Sequence, residues 1–438
     1  MNPCTRLPAM FALAAVPLLA VANDDVDALH QELSALRAAY EARIQALESR
    51  INTLESQQSA METTVEAASA PPPQRAGDFN PAISLILRGT LADFSSPAEA
   101  AVPGFALGGE SDPGAEGLSI GETELNLQAN IDPHWLGNVT LAVADNSEET
   151  GVGVEEAWFQ TRSMPYGLTL RGGRFFSGIG YRNEFHAHAD DFVDRSLVYR
   201  VFLGGQYGDD GLQLRWLAPT DRFVELGAEW LRGDQFPAGG GAHQGKGVWD
   251  VFARTGGDVG FSHSWKAGLS WLSARADARQ ANDGSLFAGD LDMAVLDGVW
   301  KWAPNGNDYR HAAKFEGALL WQKPDGWFTP ASGGGQQRYR VDQWGGYLDA
   351  VYKFRPQWRA GLRYSWVDTD NPGSGFAGTA LDPLGLSPDI WSAMLDWSGS
   401  EFSRLRLQFN RDASDRQSVN RWYLQYIYSL GAHGAHAF

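Results

Sequence analysis

From Asn80 onward, apolar and polar residues alternate with a period of two. Trp265, Ala267, Leu269 and Trp271 interleave with Lys266, Gly268, Ser270 and Leu272, and Ala360, Leu362, Tyr364 and Trp366 with Arg359, Gly361, Arg363 and Ser365. Leu405, Leu407 and Phe409 do so with Arg404, Arg406, Gln408 and Asn410. Trp422, Leu424, Tyr426, Tyr428 and Leu430 close the series. Successive side chains of a strand point to opposite faces, so each segment has one apolar, aromatic face and one face rich in arginine, amide, glycine and serine. A soluble sandwich would alternate in the same way. Arginines on the polar face and tryptophans at the ends of apolar stretches favour a barrel with lipid outside and water inside. The pattern predicts strands near 81–95, 117–131, 136–147, 152–163, 168–177, 211–219, 223–231, 246–257, 262–275, 290–302, 310–322, 340–354, 357–369, 387–397, 403–412 and 419–431. That is about sixteen antiparallel strands, an even number as single-chain bacterial barrels have. The connections 96–116, 178–210, 232–245, 276–289, 323–339 and 370–386 are long. Those between them are short turns such as Asp132-Pro133-His134 and Arg355-Pro356.

Ahead of this region the period changes. Val26, Leu29, Leu33, Leu36, Tyr40, Ile44, Leu47, Ile51 and Leu54 are spaced by three or four, a heptad seam with one stutter among helix-forming residues. A single stripe this narrow leaves a lone helix nothing to bury against, so residues 23–58 are expected to form an α-helical coiled coil and 24–58 to drive oligomerisation. Residues 59–79, with Pro71-Pro72-Pro73, form a Pro-rich linker, and the barrel occupies 80–438. Residues 1–22 read as a signal peptide: Arg6, an apolar stretch from Leu7, then Ala20-Val21-Ala22.

Composition narrows the function. Cleavage at Ala22 removes Cys4, the only cysteine, which excludes disulfides, thiolate metal sites and a cysteine nucleophile. The net charge of −18 excludes an electrostatic nucleic-acid binder. No apolar run after the leader approaches the ~20 residues of a spanning helix. Glycine (50 residues) and aromatics (12%) fit hairpins and interfacial girdles.

In this architecture the chain resembles the trimeric outer-membrane porins of Gram-negative bacteria, and the coiled coil before the barrel looks like that of the stalked porins for phosphate or dicarboxylates. Residues 210–216 (Asp-Gly-Leu-Gln-Leu-Arg-Trp) and 173–181 are similar to a family of outer-membrane proteins some of which are labelled TonB-dependent or zinc-regulated. A TonB-dependent receptor needs a 22-strand barrel and a plug, which the length from Asn80 does not supply. The resemblance implies a homotrimer seated in outer-membrane lipid with a periplasmic coiled coil. It also implies diffusion of small hydrophilic, charged solutes and a third long loop, 178–210, folded inward to narrow the lumen.

The polar faces segregate by charge. Glu122 and Glu124 mark one wall; Arg215, Lys353, Arg359, Arg363, Arg404, Arg406 and Arg421 mark another. Such arginines either offer a path to carboxylate or phosphate groups or pair with neighbouring acids. In loop 178–210 an extended stretch would turn Glu184, His186, His188 and Asp190 to one side, a ligand set for Zn²⁺; the alternative is a polar surface loop. His433 and His436 form a second pair. Gly240 to Gly247 approaches a phosphate-binding loop without its hydroxyl residue, and Ser262-His263-Ser264 lacks a third catalytic member. Glu155 and Glu156, as adjacent strand residues, are expected on opposite faces. The chain therefore reads as a porin rather than an enzyme, with a zinc-binding uptake protein and a structural envelope tether as the rival readings.

Overall fold

A computed structural model describes residues 81–96, 101–121, 123–146, 149–240 and 247–431, together with Ser34, Arg37, Ala38 and Gln45, which are helical and exposed. The leader, the coiled-coil seam, the linker, Glu122, the 241–246 part of the phosphate-loop-like stretch, and His433 and His436 lie outside the described residues. The chain divides into two units between Asp78 and Phe79, and every described strand lies in the second.

Sixteen strands run in sequence around a closed antiparallel sheet. They are β1 (Ala82–Phe94), β2 (Thr123–Asn130), β3 (Trp135–Asn146), β4 (Glu149–Thr161), β5 (Leu168–Phe176), β6 (Gly208–Leu217), β7 (Phe223–Leu231) and β8 (Val248–Val259). Then follow β9 (His263–Gln280), β10 (Leu286–Trp302), β11 (Ala312–Thr329), β12 (Gln343–Arg355), β13 (Trp358–Thr369), β14 (Asp389–Ser400), β15 (Ser403–Ala413) and β16 (Val419–Gly431). β1 closes the circle, pairing with β16 from Ser84↔Gly431 to Phe94↔Arg421 and with β2 from Ala82↔Gln128 to Ile86↔Glu124. Two short strands, Gly117–Ser119 and Gln337–Arg340, add to β1 and β11. All sixteen predicted segments are barrel strands. The largest departure is the β9–β11 ridge, which stands taller than predicted, so the connection expected at 276–289 contracts to 281–285.

The sheet is inside-out relative to a soluble protein. Leu269, Leu296 and Leu319 form a cross-strand row and are 59%, 55% and 54% exposed, while their inward neighbours Ser270, Asp297 and Leu320 are buried. Leu348, Leu362, Trp391, Leu407 and Trp422 continue the apolar outer surface, with Asp349, Arg363, Ser392, Gln408 and Arg421 buried behind them. An apolar belt this extensive on the outer face of a closed barrel suits lipid, and closure leaves no unpaired strand edge within it.

The lumen is crossed by residues 177–207, between β5 and β6. This strap contains single 3-10 turns at Arg182–Glu184 and Ala187–Ala189 and a short helix, α1 (Leu197–Leu203). All seven residues of α1 are buried. The six other than Arg200 share an apolar cluster with Leu272, Met293, Val295, Leu320, Tyr347 and Val367 of the inner wall and with Val102, Phe105 and Leu107 of the first loop. Burying each large apolar side chain here is worth about 1.5–3 kcal/mol. The helix stops at Gly204, whose φ of 62° is left-handed and whose missing Cβ would meet the Gly108 carbonyl oxygen at 2.8 Å.

Candidate functional site

The strap is bonded to wall strands all around the barrel. Gly178 N–H donates to Glu229 of β7 at 2.7 Å, Ser177 to Asp250 of β8 at 2.7 Å, and Gly180 N–H to Ser270 of β9 at 3.2 Å. Arg182 forks onto Glu316 of β11 and donates to Asp190 within the strap at 3.0 Å. Across the lumen, β13 and β15 hold the C-terminal half. Arg359 donates to Asp191 at 2.9 Å, Arg363 to Asp194 at 2.6 Å, Gln408 to Asp194 at 2.7 Å and Asn410 to Asp194 at 2.9 Å.

These contacts place the predicted cationic residues. None of the seven stands as an open ladder. Arg215 pairs with Glu184, Lys353 lies by Asp308, and Arg359 joins Asp191 to Asp396. Arg404 and Arg406 both donate to the Asp190 carbonyl oxygen, Arg406 also to Asp396 at 2.8 Å, and Arg421 pairs with Asp412 at 2.8 Å. Charge-assisted pairing of buried groups keeps each side chain in one geometry. The strap acids respond accordingly. Burial alone would push the Asp191 carboxyl up, but Lys314, Arg359 and Arg182 hold it well below the usual range. Burial likewise opposes Arg363 and Arg200 at Asp194, and the cations prevail. At Glu184, Arg215 and Arg254 outweigh burial in the same direction.

Residues 184–190 are not extended, so the four predicted metal ligands do not converge. Glu184 turns to Arg215 and Arg254, the latter at 2.7 Å, and Asp190 turns to Arg182 and Arg195. His186 and His188 remain together, rings stacked with centroids 5.6 Å apart. They meet acids that belong to the wall: His188 Nδ1 lies 2.7 Å from Glu124 Oε1, and His186 Nδ1 lies 3.2 Å from both Glu124 Oε2 and Glu155 Oε2. His186 Nε2 is 3.1 Å from Glu156 Oε2. The expectation that Glu155 and Glu156 face opposite ways is overturned by a β-bulge. Thr140 pairs with Glu156 and Leu141 with Val154, leaving Glu155 as an extra residue, so both carboxylates reach the same imidazole. Burial alone would lower the His186 pKa, but hydrogen bonds with Glu124, Glu155 and Glu156 carry it well above the usual imidazole value.

On the short-turn side of the strap lies a cavity of about 1260 Å³. Its lining includes Lys301, Lys314, Lys353, Arg359 and Arg404, with Asp258, Asp308 and Glu401. The cavity meets the strap at His188 and Ala189. Ser262, His263 and Ser264 also line it, the His263 ring tilted against Trp300 with centroids 5.2 Å apart.

The chain is 31% identical over 344 residues to an uncharacterized protein of Aquifex aeolicus (strain VF5), a match covering 74% of this chain and 70% of that protein. No protein-family model matches the sequence. Among solved structures, Salmonella typhi OmpF in complex with daunomycin aligns over 80% of this chain and 97% of its own, at a TM-score of 0.50 and 9% identity. An anion-selective porin from Comamonas acidovorans aligns over 80% and 99%, at 0.49 and 13%. The OmpF likeness shows a common barrel fold.

Proposed function

Because this chain belongs to the family of the uncharacterized Aquifex aeolicus protein, we propose its function from its own architecture: an outer-membrane porin that passes small hydrophilic, charged solutes. The observation that carries this reading is the inversion of polarity. The barrel exposes Leu269, Leu296, Leu319 and Leu362 outward and points Asp297, Asp349, Arg363 and Arg406 inward. An apolar belt needs lipid, and an interior lined with charge needs water or counter-charges along a solute path. The OmpF-like fold agrees with it.

The strap sets the aperture. It is held to the wall on both sides of the lumen, so passage depends on how far it withdraws from β2, β4, β13 and β15. Solutes that reach the cavity on the short-turn side meet Lys314, Arg359 and Arg404, and anions gain most from those side chains. With the short turns periplasmic, as in barrels of this class, residues 23–58 form the periplasmic coiled coil and 24–58 join three copies. Transport is diffusion down a gradient without covalent chemistry.

Planar-bilayer recording of the purified chain tests the reading. Stepwise channel insertion with measurable conductance is expected, and reversal potentials in asymmetric KCl give the sign of selectivity. A folded barrel that inserts and never conducts would overturn it in favour of an envelope tether.

A further inference from the structure

We propose that Glu124, Glu155 and Glu156 of the wall, with His186 and His188 of the strap, form a binding site for a divalent transition-metal ion of the zinc class.

The geometry is that of a mixed nitrogen–oxygen site. Ligand atoms about 2.0–2.1 Å from Zn²⁺ stand roughly 3.3 Å apart in a tetrahedron. His186 Nδ1 lies 3.2 Å from Glu124 Oε2 and 3.2 Å from Glu155 Oε2, and one ligand atom each from Glu124, His186 and His188 falls within a 4.8 Å sphere of mutual separation. His188 Nδ1 lies beside the other oxygen of Glu124 at 2.7 Å, so two imidazoles and one carboxylate supply three positions, and Glu155, 3.2 Å from His186 Nδ1, is the neighbouring donor for a fourth. Glu156, 3.1 Å from the far nitrogen of His186, is placed to accept its N–H and fix the tautomer that leaves Nδ1 for the ion. A carboxylate behind a ligating histidine does this at many zinc sites.

A second observation points the same way. At the strap, Glu184, Asp191 and Asp194 and the wall residue Glu316 each have an arginine or lysine within ion-pair distance, while the wall acids Glu229 and Asp250 accept from the strap's Gly178 N–H and Ser177 hydroxyl. Among the described residues, Glu124, Glu155 and Glu156 form ion pairs only with the two histidines. Glu124 is 3% exposed and the Glu155 and Glu156 side chains are each 10% exposed, so three carboxylates are gathered away from bulk water. Two imidazolium ions or one divalent ion with two neutral imidazoles supply the same charge. Only the ion also uses the convergence of the Glu124, His186 and His188 ligand atoms. Imidazole with carboxylate favours Zn²⁺ and its first-row neighbours over Mg²⁺ and Ca²⁺.

The site joins two separate parts of the chain. Glu124, Glu155 and Glu156 lie on β2 and β4, whereas His186 and His188 lie on the strap, so an ion bound here fastens the strap to that wall. Binding rests on this geometry alone, and its effect on conductance rests on the porin reading.

The test uses the full chain in detergent micelles, stripped with EDTA and titrated with ZnCl₂ or MgCl₂ by calorimetry, with metal content measured after dialysis. A single Zn²⁺ per chain at micromolar or tighter affinity, undisturbed by excess Mg²⁺, is expected. H186Q/H188Q should weaken it at least about 100-fold, the upper end of what an outer-shell change already costs at metal sites. H433Q/H436Q should leave it unchanged. The heat-modifiable shift of the barrel on gels verifies folding, and E124Q replaces the double variant if that shift is lost. Cobalt absorption bands that change in E155Q support the assignment. No stoichiometric zinc in the parent chain, or zinc retained by folded H186Q/H188Q and E124Q, overturns it. Zinc binding by a chain that does not conduct supports the site and overturns the porin reading.

Discussion

Replacing Asp194 by asparagine should loosen the strap without unfolding the barrel. Asp194 is one of the points where the strap meets β13 and β15, accepting from Arg363 at 2.6 Å, Gln408 at 2.7 Å and Asn410 at 2.9 Å. Arg363 and Asp194 have side chains only 4% and 9% exposed. The amide of D194N keeps one acceptor oxygen, sets its own N–H₂ against the donors of Gln408 or Asn410, and leaves the guanidinium, among the described residues, without its ion-pair partner. Arg363 retains its bond to the Asp194 main-chain oxygen at 2.7 Å. Breaking a buried pair by removing one partner costs about 3–5 kcal/mol. With the main-chain bond kept, about 3 kcal/mol is the expected loss in docking. At 1.4 kcal/mol per tenfold, this shifts the docked-to-released ratio by about 100-fold. Single-channel recording reads the change as a longer open fraction, and limited proteolysis reads it as faster cleavage within 177–207. D370N, at an exposed loop position, serves as control. The ladder bonds of sixteen strands are untouched, so gel mobility of the unheated barrel stays the same. Unchanged gating together with unchanged proteolysis in folded D194N would refute the argument that this pair holds the strap.

Acid should release the strap by the same route. Asp191 and Asp194 have folded values below the ordinary 3.8, so their stabilisation of docking is complete above that value and is lost as pH falls through it toward the folded values. Open probability should therefore rise below about pH 3.8, and the rise should shrink in D194N; an identical acid response in both chains would count against it. Leu362 is 60% exposed on the lipid face, so L362R should cost about 2–4 kcal/mol if it lies near the bilayer midplane, read as a lower yield of heat-modifiable barrel. Gly173 has φ +123°, and a Cβ there would lie 2.2 Å from the Ala157 carbonyl oxygen and 2.9 Å from Trp158 Cα. G173A should lower the unfolding temperature of the barrel, and an unchanged melting curve would contradict the clash. Deleting 24–58 should abolish trimers in light scattering while the conductance of each barrel persists.

The barrel was legible because the bilayer inverts the usual pattern. Lipid selects Leu362 and Trp391 on one face of a strand, and the lumen selects Arg363 and Ser392 on the other, so the period-two signal carries through nearly every segment. It weakened where local chemistry imitated a turn. Lys323-Pro324-Asp325-Gly326 carries a turn signature, yet these residues continue β11, with Pro324 opposite Leu291 and Gly326 opposite Gly289. The two glycines make the close approach possible: a Cβ on Gly289 would sit 2.4 Å from Gly326 Cα. Cross-strand pairing overrode the local preference.

The lumen was less legible because its partners are distant in sequence. Arg359 and Arg363 could be assigned to the inner face by alternation, but the carboxylates that neutralise them, Asp191 and Asp194, lie 168 and 169 residues away on the strap. The same limit applied to the histidines. Spacing of two suggested that Glu184 and Asp190 would share their side, whereas 3-10 turns rotate both acids onto arginines and bring Glu124 of β2 in their place. Glu155 was hidden by the assumption of an unbroken pleat, which a single bulge removes. Net charge misleads for a related reason. The value of −18 sums acids of the N-terminal segment and loops with lumen acids already matched by arginines. The field at the cavity is that of its own lining, where Lys314 and Arg359, both paired with Asp191, and Arg404 stand with Asp258, Asp308 and Glu401. Under the porin reading, those side chains, with Asp258, Asp308 and Glu401 of the same cavity, and not the chain's total, are the charges that reversal potentials would report.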